Sequence, residues 1–409
     1  MSKFLANLRI AILNLQRNTR RTLVATLSVA GGVIAFLLAG GFIAWIFQDM
    51  REATIHSQLG HIQIVRPGYF DKGIADPYKY LLPIRSAEQQ VIEQEPGVKT
   101  ITPRLAFSGL LSLGDATVPF IGEGIDPEGE RSISTRISLI DGNDLKTANE
   151  PAALLGEGLA KSIGAKPGDT IVLLATSAQG SPNAVELRVA GTFATISKEY
   201  DDNTLRIPIP IARKLMRVDG ATAWIALLND TENTTNVANS LKTKLGDGRF
   251  ELATWQRLAE FYNKTVTLFS KQVDVVKFII GLIIILTISN TQTMSVLERT
   301  TEIGTSLAIG VRRSEILGMF ILEGCMIGIA GGLLGLVMGY ALSLAISAVG
   351  IPMPPPPGMI RGYTGQILVN GTLAFDSLAL AFTTTLLASI MPAWKASHMN
   401  IVDALRTNQ

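Results

Sequence analysis

Residues Ser295–Ile316 read S-V-L-E-R-T-T-E-I-G-T-S-L-A-I-G-V-R-R-S-E-I, a densely charged segment set between two long apolar runs. Before it, Phe278–Leu297 contains no charged residue. After it, the run from Ile316 to Gly350 carries one, Glu323. A helix needs about 20 residues to cross the hydrocarbon core of a bilayer, and each run is that long. The charged piece is therefore read as a turn between two membrane helices. Within it Glu298, Arg299 and Glu302 are followed by Ile303, Gly304, Leu307 and Gly310, then by Arg312 and Arg313. Ile303 and Leu307 lie four apart, so a short helix would carry them on one face, and Gly310 can end it. An apolar edge of this kind suits docking onto another protein better than contact with water.

Two further apolar runs complete the membrane part. Thr22–Phe47 is free of charge, with Lys3, Arg9, Arg17, Arg20 and Arg21 before it and Asp49, Arg51 and Glu52 after it. Basic residues mark the cytoplasmic side, which places the N-terminus inside. Leu373–Ala393 is the fourth run, followed by Lys395, His398 and Arg406. The predicted fold class is an α-helical membrane protein with four transmembrane helices and a large α+β periplasmic domain inserted between the first and second. The predicted order is an amphipathic interfacial helix (1–21), a first span (22–48), the periplasmic domain (49–257), a stalk helix (258–277) and a second span (278–297). A cytoplasmic coupling helix (298–315), a third span (316–349), a Pro-rich outer loop (350–372), a fourth span (373–393) and a cytoplasmic tail (394–409) follow.

The composition agrees with a membrane protein that has a sizeable polar part. The 409 residues are 47% hydrophobic and 17% charged, against about 25% charged in a typical soluble domain. One cysteine, Cys325, excludes a disulfide framework within the chain. No basic stripe with interleaved aromatics speaks for nucleic acid. His56, His61 and His398 have no partner set for a metal, and no G-x-x-x-x-G-K-[ST] loop is present to bind ATP.

The inserted domain reads as short strands and helices. H-I-Q-I-V alternates, and L-A-F-S-G-L-L-S-L and T-V-P-F-I-G-E-G-I are neighbouring strands joined at Gly114–Asp115. From Ala152 a strand, a short helix, a Pro-Gly turn and a second strand follow, and V-E-L-R-V-A-G-T-F pairs with them. W-I-A-L-L and F-E-L-A-T-W are later strands, with helices starting near Pro208 and Val237. The expected arrangement is a porter-like lobe carrying a smaller β-rich lobe at about 115–205.

Gly324, Gly328 and Gly332 lie four apart in the third span, as do Gly331, Gly335 and Gly339. Such small-residue faces let helices approach closely in lipid. They would pack the four helices of one subunit, or one face would form the seam with a second permease. Glu323 lies just inside this span, where a carboxylate is expensive. It reads as an intramembrane anchor that pairs with Arg312 or Arg313, or else as a functional carboxylate.

The segment L-E-R-T-T-E-I-G-T-S-L-A-I-G-V-R-R-S-E-I with F-I-L-E-G-C-M-I-G-I-A-G-G-L-L-G, and the closing S-I-M-P-A-W-K-A-S-H-M-N-I-V-D-A-L-R, resemble the FtsX/MacB-type (type VII) ABC transporter permeases. That family includes the permeases of lipoprotein-releasing systems. The resemblance implies a non-catalytic subunit of the bacterial inner membrane that binds no cofactor itself. ATP and Mg²⁺ would be held by a cytoplasmic ABC ATPase dimer docked at 298–313. It further implies a second permease, identical or homologous, as partner, and a lipidated or hydrophobic substrate, with a substrate lipoprotein or a periplasmic carrier among the candidates. A signalling scaffold that switches a periplasmic cell-wall hydrolase is the alternative, and a membrane enzyme is a third reading with no evident site.

Overall fold

The computed structural model describes residues 11, 13–17, 19–73, 76–84, 86–246, 248–354, 362–401 and 404. Residues 1–10 of the expected interfacial helix, residues 355–361 of the Pro-rich loop and most of the tail beyond 401 lie outside the described residues. The chain divides into two compact units. One comprises residues 1–47, 266–352 and 364–409, and the other residues 48–265 and 353–363.

The first unit is helical. Besides one short helix it holds all or most of four long ones, Thr19–Thr54, Glu260–Glu298, Arg313–Val349 and Gly371–Ser397. Each is long and apolar enough to cross a membrane. The second runs unbroken from the expected stalk into the expected span. The fourth starts where Asn370 caps it, its side chain accepting from the Leu373 amide at 2.8 Å.

Glycine sets the packing. A Cβ added at Gly331 or Gly335 would lie 2.7 Å from the Cβ of Val29 or Val33, and 2.8 Å from the carbonyl oxygen of Thr26 or Ala30. Gly339 continues this contact against Leu37. The other glycine face meets the fourth helix, with Gly324 against Ser389 Oγ, Gly328 against Thr385 Oγ1 and Gly332 against Ala381. Those hydroxyls donate to carbonyls of their own helix, Thr385 to Ala381 at 2.8 Å and Ser389 to Thr385 at 2.6 Å, so they cost no unpaired donor in lipid. Both glycine faces are thus filled by this chain's own helices, which corrects the reading of one as a seam for a second copy. Open apolar surface lies instead along the second helix, where Phe278 is 71% exposed and Ile279, Leu282, Ile283 and Leu286 are exposed with it.

The second unit is built on one ten-stranded sheet: β1 (Ile62–Val65), β2 (Val98–Leu113), β3 (Ala116–Ile125), β4 (Ser138–Gly142), β5 (Ala152–Gly156), β6 (Thr170–Thr176), β7 (Pro182–Ala194), β8 (Thr204–Pro208), β9 (Ala223–Leu228) and β10 (Glu251–Thr254). Six strands close a ring in the order β2-β3-β8-β5-β7-β6 and back to β2, a small barrel. The remaining order β10-β1-β9-β2 extends from it, and β4 adds to β7. β2 serves both parts because it is long: Val98–Arg104 pair with β9, and Leu110–Ser112 with β6. Along β2 the residues Leu105, Phe107 and Leu111 alternate inward to the core that Phe120, Leu155, Leu173, Leu187 and Leu205 share. β2 turns into β3 at Gly114–Asp115, Gly114 having φ +57°. Gly122 stands opposite Phe107, and the Phe107 ring lies across it, edge-on to Phe120 at 5.7 Å.

Two buried arginines hold the beginning of this unit to the barrel. Arg104 on β2 pairs with Glu130 and donates to the Gln58 carbonyl. Arg206 on β8 donates to Glu123 at 3.0 Å, Tyr200 Oη at 3.0 Å, Ser134 Oγ at 2.9 Å and the Ser57 carbonyl at 2.9 Å. Residues 57 and 58 lie in the π-helical turn Ile55–Leu59 that follows Thr54, so the guanidinium groups meet its carbonyls. Burial would push Glu130 up, but Arg104 and Arg206 beside it hold it below the usual carboxylate range. Nearby, His61 accepts from the Leu228 amide at Nδ1 (3.1 Å), which leaves the proton on Nε2 to face Thr231 Oγ1 at 3.0 Å. Burial, with His56 and Arg51 close by, pushes His61 down to about 4. It is a neutral structural residue.

Candidate functional site

Between the second and third long helices the chain forms a short helix, Thr300–Ala308. Gly310, at φ +99°, ends it, its amide donating to the Leu307 carbonyl at 3.1 Å. A β-carbon there would strain the backbone, so the glycine fixes where the turn stops. Arg312 then caps the third long helix and Arg313 begins it.

The apolar residues of this element do not point where the sequence reading placed them. Ile303 is only 3% exposed and packs with Val296, Ile316, Phe320, Ala393 and Ala396, with half-buried Leu307 beside it. The edge expected to be free is filled by the ends of the chain's own helices, because burying it there removes apolar surface from water without a partner. Gly304 is buried as well, since a Cβ would come within 2.7 Å of Ala404 Cβ. What faces outward is Ile309, 80% exposed, with Val311, Arg312 and Arg313 also exposed. Glu298 and Glu302 are exposed, whereas Arg299 is buried.

Glu323 is 6% exposed and its partners are not Arg312 or Arg313. Its Oε1 accepts from Arg299 Nη1 at 3.0 Å and from Asn14 Nδ2 at 2.8 Å. Arg299 is the nearer cation because the turn of chain at 299 drops it inward, over the Phe320 ring at 5.5 Å. Asn14 lies in the segment expected to form the interfacial helix, where sequence reading assigns it no contact with the third span. The signal available was the spacing of Asn14, Arg17 and Arg21, which puts them on one face. Gln292, in the second helix, also went unread; its Nε2 donates to Ser389 Oγ at 2.9 Å.

The barrel unit holds a cavity of about 690 Å³ lined mainly by apolar side chains. Tyr78, Phe107, Leu110, Ile121, Leu174 and Asn183 are among the residues that line it, and Leu110, Ile121 and Leu174 are exposed, so it is open to solvent on one side. Among the described residues no group of three or more His, Cys, Asp and Glu side chains is arranged to hold a metal ion.

Comparison with known proteins agrees with this architecture unit by unit. Residues 22–244 match the MacB-like periplasmic core domain, and residues 275–401 match the FtsX-like permease C-terminal family. An uncharacterised ABC transporter permease of Methanocaldococcus jannaschii is 26% identical over 65% of this chain and 65% of its own length. The lipoprotein-releasing system transmembrane protein LolC of Xylella fastidiosa is 26% identical over 76% of this chain and 78% of its own. The macrolide export ATP-binding/permease protein MacB of Rhodospirillum rubrum is 27% identical over 97% of this chain, which spans 60% of that relative. The chain is a multi-pass membrane protein with a large domain of the periplasmic type between its first and second spans, and it belongs to the FtsX/MacB family of ABC transporter permeases.

Proposed function

We propose that this chain couples ATP hydrolysis, carried out by a cytoplasmic ABC ATPase dimer, to motion of the periplasmic unit, which extracts or exports a lipidated or hydrophobic substrate. The observation that carries the reading is the outward face of the turn at 298–313. Ile309 and Val311 offer apolar contact, while Glu298, Glu302, Arg312 and Arg313 surround it with charge. Charge at a rim sets orientation more than affinity, and apolar residues at the centre carry the energy. Ile303, Gly304 and Leu307 act from within, holding the element to the bundle. ATP and Mg²⁺ belong to the ATPase, and a second permease, identical or homologous, completes the transporter.

The unbroken helix Glu260–Glu298 supports transmission, because a continuous helix passes displacement along its length where a loose linker would absorb it. The apolar cavity supports a hydrophobic substrate, a lipoprotein acyl group among them, and is of the size that takes small ligands, about 300–1,000 Å³. A scaffold that only switches a cell-wall hydrolase has no use for such a cavity, and this favours transport. A periplasmic carrier for the extracted lipoprotein fits the same reading.

Ile309→Asp with Val311→Asp tests it. Burying two charges in the centre of an interface should cost about 2 kcal/mol or more, so the ATPase should no longer co-purify with the full chain. Size-exclusion behaviour should stay that of the wild type, since both positions are exposed. A monodisperse variant that still retains its ATPase would show that docking occurs elsewhere.

A further inference from the structure

Asn14, Arg17 and Arg21 lie at helical spacing i, i+3 and i+7, and all three contact carboxylates of, or beside, the turn between the second and third long helices. Arg17 Nη2 donates to both carboxylate oxygens of Glu302, at 2.8 and 2.9 Å. Arg21 pairs with Glu298 through both of its terminal nitrogens. Asn14 donates to Glu323 at 2.8 Å. Arg299 closes the figure, pairing with Glu323 at 3.0 Å and with Glu302 at 3.4 Å. The polar contacts therefore run from Arg17 through Glu302, Arg299 and Glu323 back to Asn14, a ring that leaves the helical residues 13–17 and returns to them.

We propose that Asn14, Arg17 and Arg21 clasp the docking element to the start of the first long helix, so that displacement of Thr300–Ala308 moves the first span together with the second. The inference rests on the reading of 298–313 as the ATPase dock. Peptide connection and side-chain packing join that dock to the second and third long helices, whereas side-chain contacts alone join it to the start of the first. Asn14, Arg17 and Arg21 are then positioning residues, which touch neither nucleotide nor substrate. The two outer pairs are exposed and individually weak. The buried Arg299–Glu323 pair fixes the geometry against which they close, since removing either partner would strand a charge.

The experiment compares the wild-type full chain, Arg17→Glu alone, Arg17→Glu with Arg21→Glu, and the exchange Arg17→Glu with Glu302→Arg, each with the cytoplasmic ATPase. The doubly reversed variant should retain the ATPase in pull-down but stimulate hydrolysis at least about fivefold less, a loss that two screened ion pairs can carry. Hydrogen exchange across residues 300–308 should rise in the same variant. Arg17→Glu alone should show part of both effects, and the Arg17/Glu302 exchange should recover part of what Arg17→Glu alone loses, which a merely structural loss would not do. Full stimulation by the doubly reversed variant, or unchanged exchange at 300–308, would overturn the clasp. A wild-type chain that binds and stimulates no ATPase would overturn the docking reading instead. The exchange data would then judge the clasp alone, where unchanged protection in the variant overturns it and raised protection loss supports it.

Discussion

Replacing Gly335 by leucine should prevent the four-helix unit from assembling. The first atom added would fall 2.7 Å from Val33 Cβ and 2.8 Å from the Ala30 carbonyl oxygen. The second obstacle is backbone, so no rotamer change relieves it and the first and third long helices must separate. Separation would undo the equivalent contacts at Gly331 and Gly339 too. Overpacking in a core typically costs about 1–3 kcal/mol, and spreading a whole helix pair should exceed that. Membrane extraction followed by size-exclusion chromatography should show aggregated protein. Gly31→Leu is the matched control, since a Cβ there meets nothing within 4 Å and the protein should remain monodisperse. Equal behaviour of the two variants would contradict the assignment of the Gly331–Gly335–Gly339 face to this contact.

Arg206→Met should unfold or loosen the barrel unit on its own. Arg206 is buried with four different acceptors, and its guanidinium lies over Phe193 at 5.7 Å. Methionine would fill part of the volume, leave Glu130 paired with Arg104 and take from Glu123 its ion pair with Arg206. Removing one member of a buried ionic group costs about 3–5 kcal/mol, and the Ser57 carbonyl also loses its donor. Hydrogen exchange of the full chain should show β2, β3 and β8 losing protection while the apolar helices keep theirs. Arg188→Met, at an exposed side chain 4.0 Å from Glu150, should do little. A change in β8 protection no larger than that of Arg188→Met would mean that the buried network is dispensable.

Much of this architecture was legible because membrane spans and alternating strands leave strong patterns. Apolar runs set the four long helices, period-two alternation marked β1, and short strand-like runs bounded by turn residues marked β2, β3, β5, β6, β7, β9 and β10. β8 escaped because T-L-R-I-P carries an arginine at a position where the sequence argues for solvent, while the structure buries it among Glu123, Tyr200 and Ser134. β4 is a five-residue edge strand ending in Asp141–Gly142, too short to show a period. At the coupling turn the spacing of Ile303 and Leu307 correctly implied one apolar face, but spacing cannot say what covers a face. The chain's own Phe320, Ala393 and Ala396 cover it, from segments up to about 90 residues away in sequence. The partners of Glu323 were hidden for a similar reason. Arg312 and Arg313 are nearer in sequence than Asn14, yet Asn14 is the residue that folding brings to it.

The central claim is that the chain converts hydrolysis by a docked ATPase into movement of its periplasmic unit, and the rate of ATP hydrolysis tests it most directly. The full chain, purified in nanodiscs, should hydrolyse no ATP alone, and adding the cytoplasmic ATPase should give a rate above that of the ATPase by itself. Ile309→Asp with Val311→Asp should return the rate to the ATPase baseline. Hydrolysis by the contaminant-free chain alone at the rate of the complex would contradict the account, as would stimulation that survives the double substitution.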